Sequence, residues 1–333
     1  MTDFQNVGLA GAGAFGTALA LVAHKAGRRV SLWARDREQI AGIRAAGENA
    51  AYLPGVAVPA AVEITSEPAA LLAAEIVLLV VPAQATRAIA GRLAAFIGPG
   101  VPVVACAKGI EQATGLLQTE ILAECLPGAR PAALSGPGFA EEIAAGLPTA
   151  VTIAAAEIRL ADELCAALSS ETFRPYASDD LAGVELGGAI KNVLAIACGI
   201  VVGRGLGESA RAALISRGLA EMMRLGTALG ARPETFMGLS GVGDLVLTAT
   251  SALSRNTAFG TSLGRGRSLA ELTGSGAPLV EGIHSAGIAA DLAARHGVEA
   301  PIIAAVAAIL DGRLDVDTAM ATLLARPLRR EAG

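Results

Sequence analysis

The 333-residue chain carries 26 lysines and arginines against 31 aspartates and glutamates, a net charge of −5, and is 53% apolar and only 17% charged. That balance excludes a disordered chain and supplies apolar material for two domains, each with its own core. With 3% aromatic residues and no long basic block, a nucleic-acid partner is not expected.

A mean hydropathy of +0.54 raises the question of a membrane segment. The longest candidate, residues 186–203, contains Lys191 and Asn192, is rich in glycine and alanine and has no flanking aromatic belt, so no span is expected. The opening MTDFQNVGLAGAG lacks the basic start of a secretory signal, and a cytoplasmic protein is the expectation. Cys106, Cys125, Cys165 and Cys198 form no C-x-x-C pair and only three histidines occur, which points to reduced thiols and no metal site.

The first strand pattern, NVGLAG, runs into Gly11, Gly13 and Gly16, a G-x-G-x-x-G set opening a helix. The first glycine permits the tight turn, the second lets a pyrophosphate approach the backbone, and the third lets the helix pack on the strand. The helix N-terminus then faces the phosphates. Three glycines among 40 are weak evidence alone; their place between a strand and a helix, at the head of an alternating pattern, points to a dinucleotide. The second strand, RRVSLWA, ends without the acid that would hold the ribose 2′-hydroxyl of NAD and continues into Arg35, Asp36 and Arg37, so NADP is expected to be preferred, with NAD also used. The plainer reading makes these arginines solvated residues at the start of the next helix.

Five further strand-sized runs follow, EIVLLVVP, VPVVACAK, AALSGP, AVTIA and FRPYAS, with helical stretches between most of them. Strands alternating with helices predict a doubly wound, mostly parallel sheet of Rossmann type. Ligands of such sheets bind at the carboxyl edge, where VVPAQ (80–84), ACAKGIE (105–111, with Lys108) and LSGPGFAEE (134–142) are placed. The Ser-Gly-Pro-Gly turn of the last offers backbone N–H groups to an anion. From about Asp180 the pattern becomes helical, over residues 181–202, 209–229, 233–237, 282–296 and 301–310. The expected division is a dinucleotide-binding domain at 1–178 and an all-helical substrate-binding domain at 179–333.

Within the first of these helices, GGAIKNVLAIACG places a lysine among small apolar residues. A charge buried there without partners costs several kcal/mol, so Lys191 is either a snorkelling side chain or a reactive amine in a cleft. A general base needs its pKa brought from about 10.4 to about 7–8, roughly 4 kcal/mol, which desolvation and a cationic neighbour can supply. Further on, GLSGVGDLVLTATSALSRN (238–256) sets Asp244 ahead of Ser254, Arg255 and Asn256, and PLVEGIHSA (278–286) forms a second polar cluster. Helix capping accounts for part of the Ser-Arg-Asn set, and the arginine within it suits a phosphate.

The segments GAGAFGTALA, NAAYLPG, KGIE, SGPGFAEE, ELGGAIKNVLAIACGI, AALISRGLAEM, GLSGVGDLVLTATSALSRN and VEG resemble, in order from residue 8 to about 282, the signatures of the bacterial NAD(P)-dependent glycerol-3-phosphate dehydrogenase family. The resemblance implies interconversion of dihydroxyacetone phosphate and sn-glycerol 3-phosphate, supplying phospholipid synthesis, and a homodimer. It makes Lys191 the proton acceptor, and places Lys108, Gly136, Gly138, Asp244, Ser254, Arg255 and Asn256 around the substrate. Around the cofactor it places Ala14, Phe15, Arg35, Lys108, Ala140, Arg255, Leu279 and Glu281. The chain departs from the family pattern at Ala14 and Ala83, where serine is common, and at Gly138, where a hydroxyl-bearing residue is usual. The segment VVGRGLGESA also lacks the usual Asp and Asn. Two other readings share some of these features: a dehydrogenase of the same plan acting on a β-hydroxy acid, which has no need for the Ser-Arg-Asn set, and an NADP-sensing module without turnover.

Overall fold

The computed structural model describes residues 4–327. Among these residues eight strands form one sheet: β1 (Asn6–Ala10), β2 (Arg29–Trp33), β3 (Glu63–Thr65), β4 (Ile76–Leu79), β5 (Pro102–Ala105), β6 (Arg130–Ser135), β7 (Thr149–Ala155) and β8 (Phe173–Ser178). Their spatial order is β3-β2-β1-β4-β5-β6-β7-β8, and every neighbouring pair is parallel except β6 with β7. Seven of the eight are the runs read from sequence. The eighth, β3, is a three-residue edge strand paired with Ser31 to Trp33, too short for its alternation to register.

Helices α1 (Ala14–Lys25), α2 (Arg37–Ala46), α3 (Thr86–Leu93), α4 (Gln118–Cys125), α5 (Ala140–Ala144) and α6 (Ile158–Leu168) surround the sheet. One face, with Val7, Leu9, Leu32, Ile76, Leu78 and Val104, packs on α1, α2 and α6. The opposite face, with Ala10, Trp33, Val77, Leu79 and Val103, packs on α3 and α4. Covered on both sides, the central strands are buried at every position, as unbroken apolar runs require.

After β8 the chain is helical: α7 (Leu181–Gly203), α8 (Gly207–Ala228), α9 (Pro233–Phe236), α10 (Asp244–Thr250), α11 (Arg255–Gly264), α12 (Leu269–Leu272), α13 (Glu281–Arg295), α14 (Pro301–Leu310) and α15 (Val316–Leu324). Helix α7 is the axis of this part, buried from Gly183 to Val201. Its small residues have a packing cause: a Cβ on Gly199 would stand 2.2 Å from the Thr257 carbonyl oxygen, and one on Gly260 2.1 Å from that of Ile196. Side chains there would push α7 and α11 apart. Among the described residues, α7 is the one unbroken helix with the length and hydropathy to cross a bilayer, and 89% of its most apolar window is buried inside the protein. The helical core also takes in Ile110, which is fully buried there although it belongs to the segment between β5 and α4.

Candidate active site

The strand order reverses between β1 and β4, and the crevice at their carboxyl ends is where this fold binds ligands. Gly11 there has φ +122°, and a Cβ on it would lie 2.1 Å from the Val80 carbonyl oxygen. A Cβ on Gly16 would meet the Gly11 carbonyl oxygen at 1.9 Å, so only glycine lets α1 lie this close to the turn. Gly13 differs: the space beside it is empty to 4 Å, and it places no side chain on the first-turn N–H groups of α1. Those groups, beside Ala14 and Phe15, are open to an anion. Gln39 Nε2 and Asn49 Nδ2 brace the turn by donating to the Ala12 carbonyl at 2.5 and 2.9 Å.

Arg35, two residues beyond β2, is exposed and forms no ion pair among the described residues. Asp36 is already engaged, its Oδ1 accepting from the N–H groups of Glu38 and Gln39 as the cap of α2. Arg37 is exposed, 3.4 Å from Glu67.

Two lysines, Lys108 and Lys191, converge on one carboxylate. Lys191 Nζ donates to Asp244 Oδ1 and, at 2.8 Å, to Thr248 Oγ1. Lys108 Nζ donates to Asp244 Oδ2 at 2.7 Å and to the Gly136 carbonyl at 2.7 Å. Asp244 is 1% exposed and Lys191 6%. Burial pushes the Lys191 ammonium down to about 7; Asp244 resists the shift and Lys108 adds to it. Burial works against the Asp244 charge, yet Lys108 and Lys191 together hold its carboxyl below the ordinary range. The amine is therefore buried with partners and close to neutral-pH titration, not snorkelling.

Two amides tie this centre to the surrounding helices. Asn192 Nδ2 donates to the Lys108 carbonyl at 3.0 Å, and its Oδ1 accepts from Asn256 Nδ2 at 2.9 Å. Asn256 Oδ1 accepts from the Gly282 N–H at 2.9 Å. The Asn256 side chain thus already joins α7, α11 and α13, with one amide proton uncommitted. Ser254 caps α11 through Oγ, accepting from Thr257 N at 3.2 Å, as the capping alternative held. Arg255 follows it, exposed, its charge opposing the upward push that burial gives the Glu281 carboxyl.

Glu281 opens α13 and reaches the turn after β4, its Oε1 accepting from the Ala83 N–H at 3.1 Å. Leu279, two residues earlier, is half-buried. Glu281 Oε2, Ser285 Oγ and Ser135 Oγ are buried without a protein partner. The first two flank Gly109 and the third faces Gly188 beside the Lys108 stem, so unclaimed polar atoms surround the Lys108 segment. Gly136 has φ +129°, which turns the chain after β6. Gly138 faces Ile143 and Thr149, and Ala140 begins α5. Neither hydrogen bonds to the lysine centre.

The structure therefore joins Lys108, Gly136, Lys191 and Asp244 directly and Asn256 through Asn192. Thr248 and Asn192 are the contacts that sequence reasoning left out of the site. Thr248 had a signal, since it stands four residues after Asp244 on one helix face.

The description "NAD-dependent glycerol-3-phosphate dehydrogenase N-terminus" matches residues 6–161, and its C-terminal counterpart residues 180–321. A protein of Parvibaculum lavamentivorans called glycerol-3-phosphate dehydrogenase [NAD(P)+] is 53% identical over 98% of both chains. One of Azorhizobium caulinodans with the same name is 53% identical over 100% of both. The crystal structure of glycerol-3-phosphate dehydrogenase from Coxiella burnetii superposes with a TM-score of 0.92 at 38% identity, covering 98% of this chain and 100% of that one. The chain belongs to the NAD(P)-dependent glycerol-3-phosphate dehydrogenase family.

Proposed function

We propose that the chain interconverts dihydroxyacetone phosphate and sn-glycerol 3-phosphate, with Lys191 as the general acid and base. The observation that carries this is the Lys191 amine, buried, pushed to about 7 and held against Asp244 beside Lys108. The open face of Gly13 and the uncapped N-terminus of α1 fit a pyrophosphate, and the unclaimed oxygens of Glu281 and Ser285 fit the polar end of a bound dinucleotide. When bound, NADPH or NADH supplies the hydride that reaches C2 of the ketone. In that direction the Lys191 ammonium protonates the developing C2 alkoxide; in reverse the neutral amine takes the C2 hydroxyl proton. Asp244 orients both lysines, Lys108 adds positive potential at the reacting oxygen, and Arg255 with the remaining Asn256 proton holds the phosphate. Gly136, Gly138 and Ser254 shape the substrate side. Ala14, Phe15, Ala140, Leu279 and Glu281 line the cofactor side.

Exposed Arg35 favours NADP, and the nearest acid, Asp36, spends its Oδ1 on the first turn of α2. In this reading the chain divides near residue 178, between sheet and helices, and the site lies in the cleft between the two domains. The remaining parts of the reading are a cytoplasmic homodimer and supply of glycerol 3-phosphate to phospholipid synthesis.

The test is NADPH or NADH oxidation at 340 nm with dihydroxyacetone phosphate, for the wild type and Lys191→Ala. Turnover by the wild type alone is the expected result. Turnover by Lys191→Ala removes the lysine from its role, and a preference for an unphosphorylated β-hydroxy acid overturns the substrate assignment.

A further inference from the structure

The two lysines that meet on Asp244 are carried by different parts of the chain, and one short helical turn touches both carriers. Lys108 lies in the segment between β5 and α4, and Lys191 on α7. The first residue of α4, Gln118, is 1% exposed and donates through Nε2 to the Gly109 carbonyl at 2.9 Å, next to Lys108. Its Oε1 accepts from Thr86 Oγ1 at 2.5 Å. The second residue, Thr119, faces the other way. Its N–H and Oγ1 donate to the two oxygens of Glu185, at 3.0 and 2.5 Å. Glu185 sits on α7, six residues before Lys191.

Glu185 is 6% exposed and forms no ion pair among the described residues. Capping of α4 alone does not call for such a residue, since a local serine, threonine or aspartate before the helix does the same with less burial of charge. A carboxylate 66 positions away in the chain does something a local cap cannot: it fixes the helix carrying Lys191 against the turn that holds the Lys108 segment. We propose that Glu185 is a positioning residue, setting through Thr119 the distance at which Lys108 and Lys191 share Asp244. The inference rests on the reading of Lys191 as the general acid and base.

Glu185 touches none of the reacting groups, so its effect is to be read in how Lys191 behaves. In the reduction of dihydroxyacetone phosphate, Glu185→Ala is expected to lower kcat by about tenfold or more, because small displacements of a reacting group are costly. The KM for NADPH stays within about twofold; because burial also pushes the Glu185 carboxyl up to about 7, the lysine midpoint in the pH profile of kcat is read in Thr119→Val, where it moves with both groups still present. Glu185→Gln retains an oxygen for the Thr119 N–H and restores most of kcat. Thr119→Val reproduces the loss in milder form, and carries the test should Glu185→Ala fail to fold. Folded variants with a lower melting temperature but wild-type kcat and an unmoved midpoint would overturn the proposal. Lys191→Ala, run alongside, separates the two readings: an active Lys191→Ala enzyme refutes the lysine role itself, whereas an inactive one beside an unaffected Glu185→Ala refutes only the positioning role.

Discussion

Replacing Asp244 by asparagine keeps the shape of the side chain and an acceptor oxygen while removing the one negative charge that Lys108 and Lys191 share. That charge opposes the downward push on Lys191, whereas burial and Lys108 both remain in the variant. An opposite charge at contact distance is worth about 1–3 pKa units, so the Lys191 midpoint falls from about 7 to between about 6 and about 4. Ketone reduction uses the ammonium form. At pH 7.5 the protonated fraction then drops by about eightfold for a one-unit shift and about eight-hundredfold for three units. At pH 5 the deficit shrinks to about elevenfold at most, because both enzymes are then largely or partly protonated. Alcohol oxidation at pH 9 uses the neutral amine, which the wild type and the variant both supply, so protonation state costs the variant nothing there. The assay follows NADPH at 340 nm from pH 5 to 9 in both directions. A variant that loses reduction and oxidation equally at every pH, or whose midpoint moves upward, refutes the electrostatic role of Asp244.

Gly13→Ala meets only open space, so it is expected to keep stability within about 0.5 kcal/mol while weakening NADPH binding, measured by fluorescence titration. Gly11→Ala forces a side chain onto φ +122° and toward the Val80 carbonyl, and costs at least 1–3 kcal/mol in urea unfolding; equal stability losses in the two variants contradict the assignment. Arg35→Ala removes the charge placed to meet a 2′-phosphate and is expected to cut the NADPH-to-NADH ratio of kcat/KM by about tenfold, and an unchanged ratio assigns Arg35 to solvent. Glu221 accepts from Ile302 and Ile303 N–H at the start of α14, and burial pushes its carboxyl up from 4.5 to about 7. The folded state then binds the extra proton between pH 4.5 and 7, so this contribution is full below 4.5 and is lost as pH rises through 7. Glu221→Gln should flatten the fall in stability over that window by on the order of 3 kcal/mol, and parallel stability curves for variant and wild type count against it.

What the sequence disclosed was mostly local. The turn from β1 through Gly11 into α1 was legible because strand, glycines and helix are contiguous, and the helical tail because its apolar spacing repeats within each helix. Lys191 stood out because a charge in a run of small apolar residues demands a reason. Edge strand β3 escaped, since three residues carry no period. The Ser-Arg-Asn spacing points Asn256 at a phosphate but does not disclose its bonds to Asn192 and Gly282, partners set by the crossing of α7, α11 and α13 that leave one amide proton for that role. Nor could spacing reveal that Thr119 and Glu185 meet, because neither residue is unusual in its own helix. The small residues of α7 suggested a core, and the structure adds why they are small: backbone meets backbone where α11 crosses.

Ile110 leaves the sheet's half of the sequence and sits wholly inside the helices. Grafting the first half of this enzyme onto the helices of a relative would therefore carry a foreign plug into a socket shaped for its own, two residues from Lys108. Cofactor exchange by transplanting whole halves is thus tied to repacking that socket, whereas changes confined to the end of β2 leave it untouched.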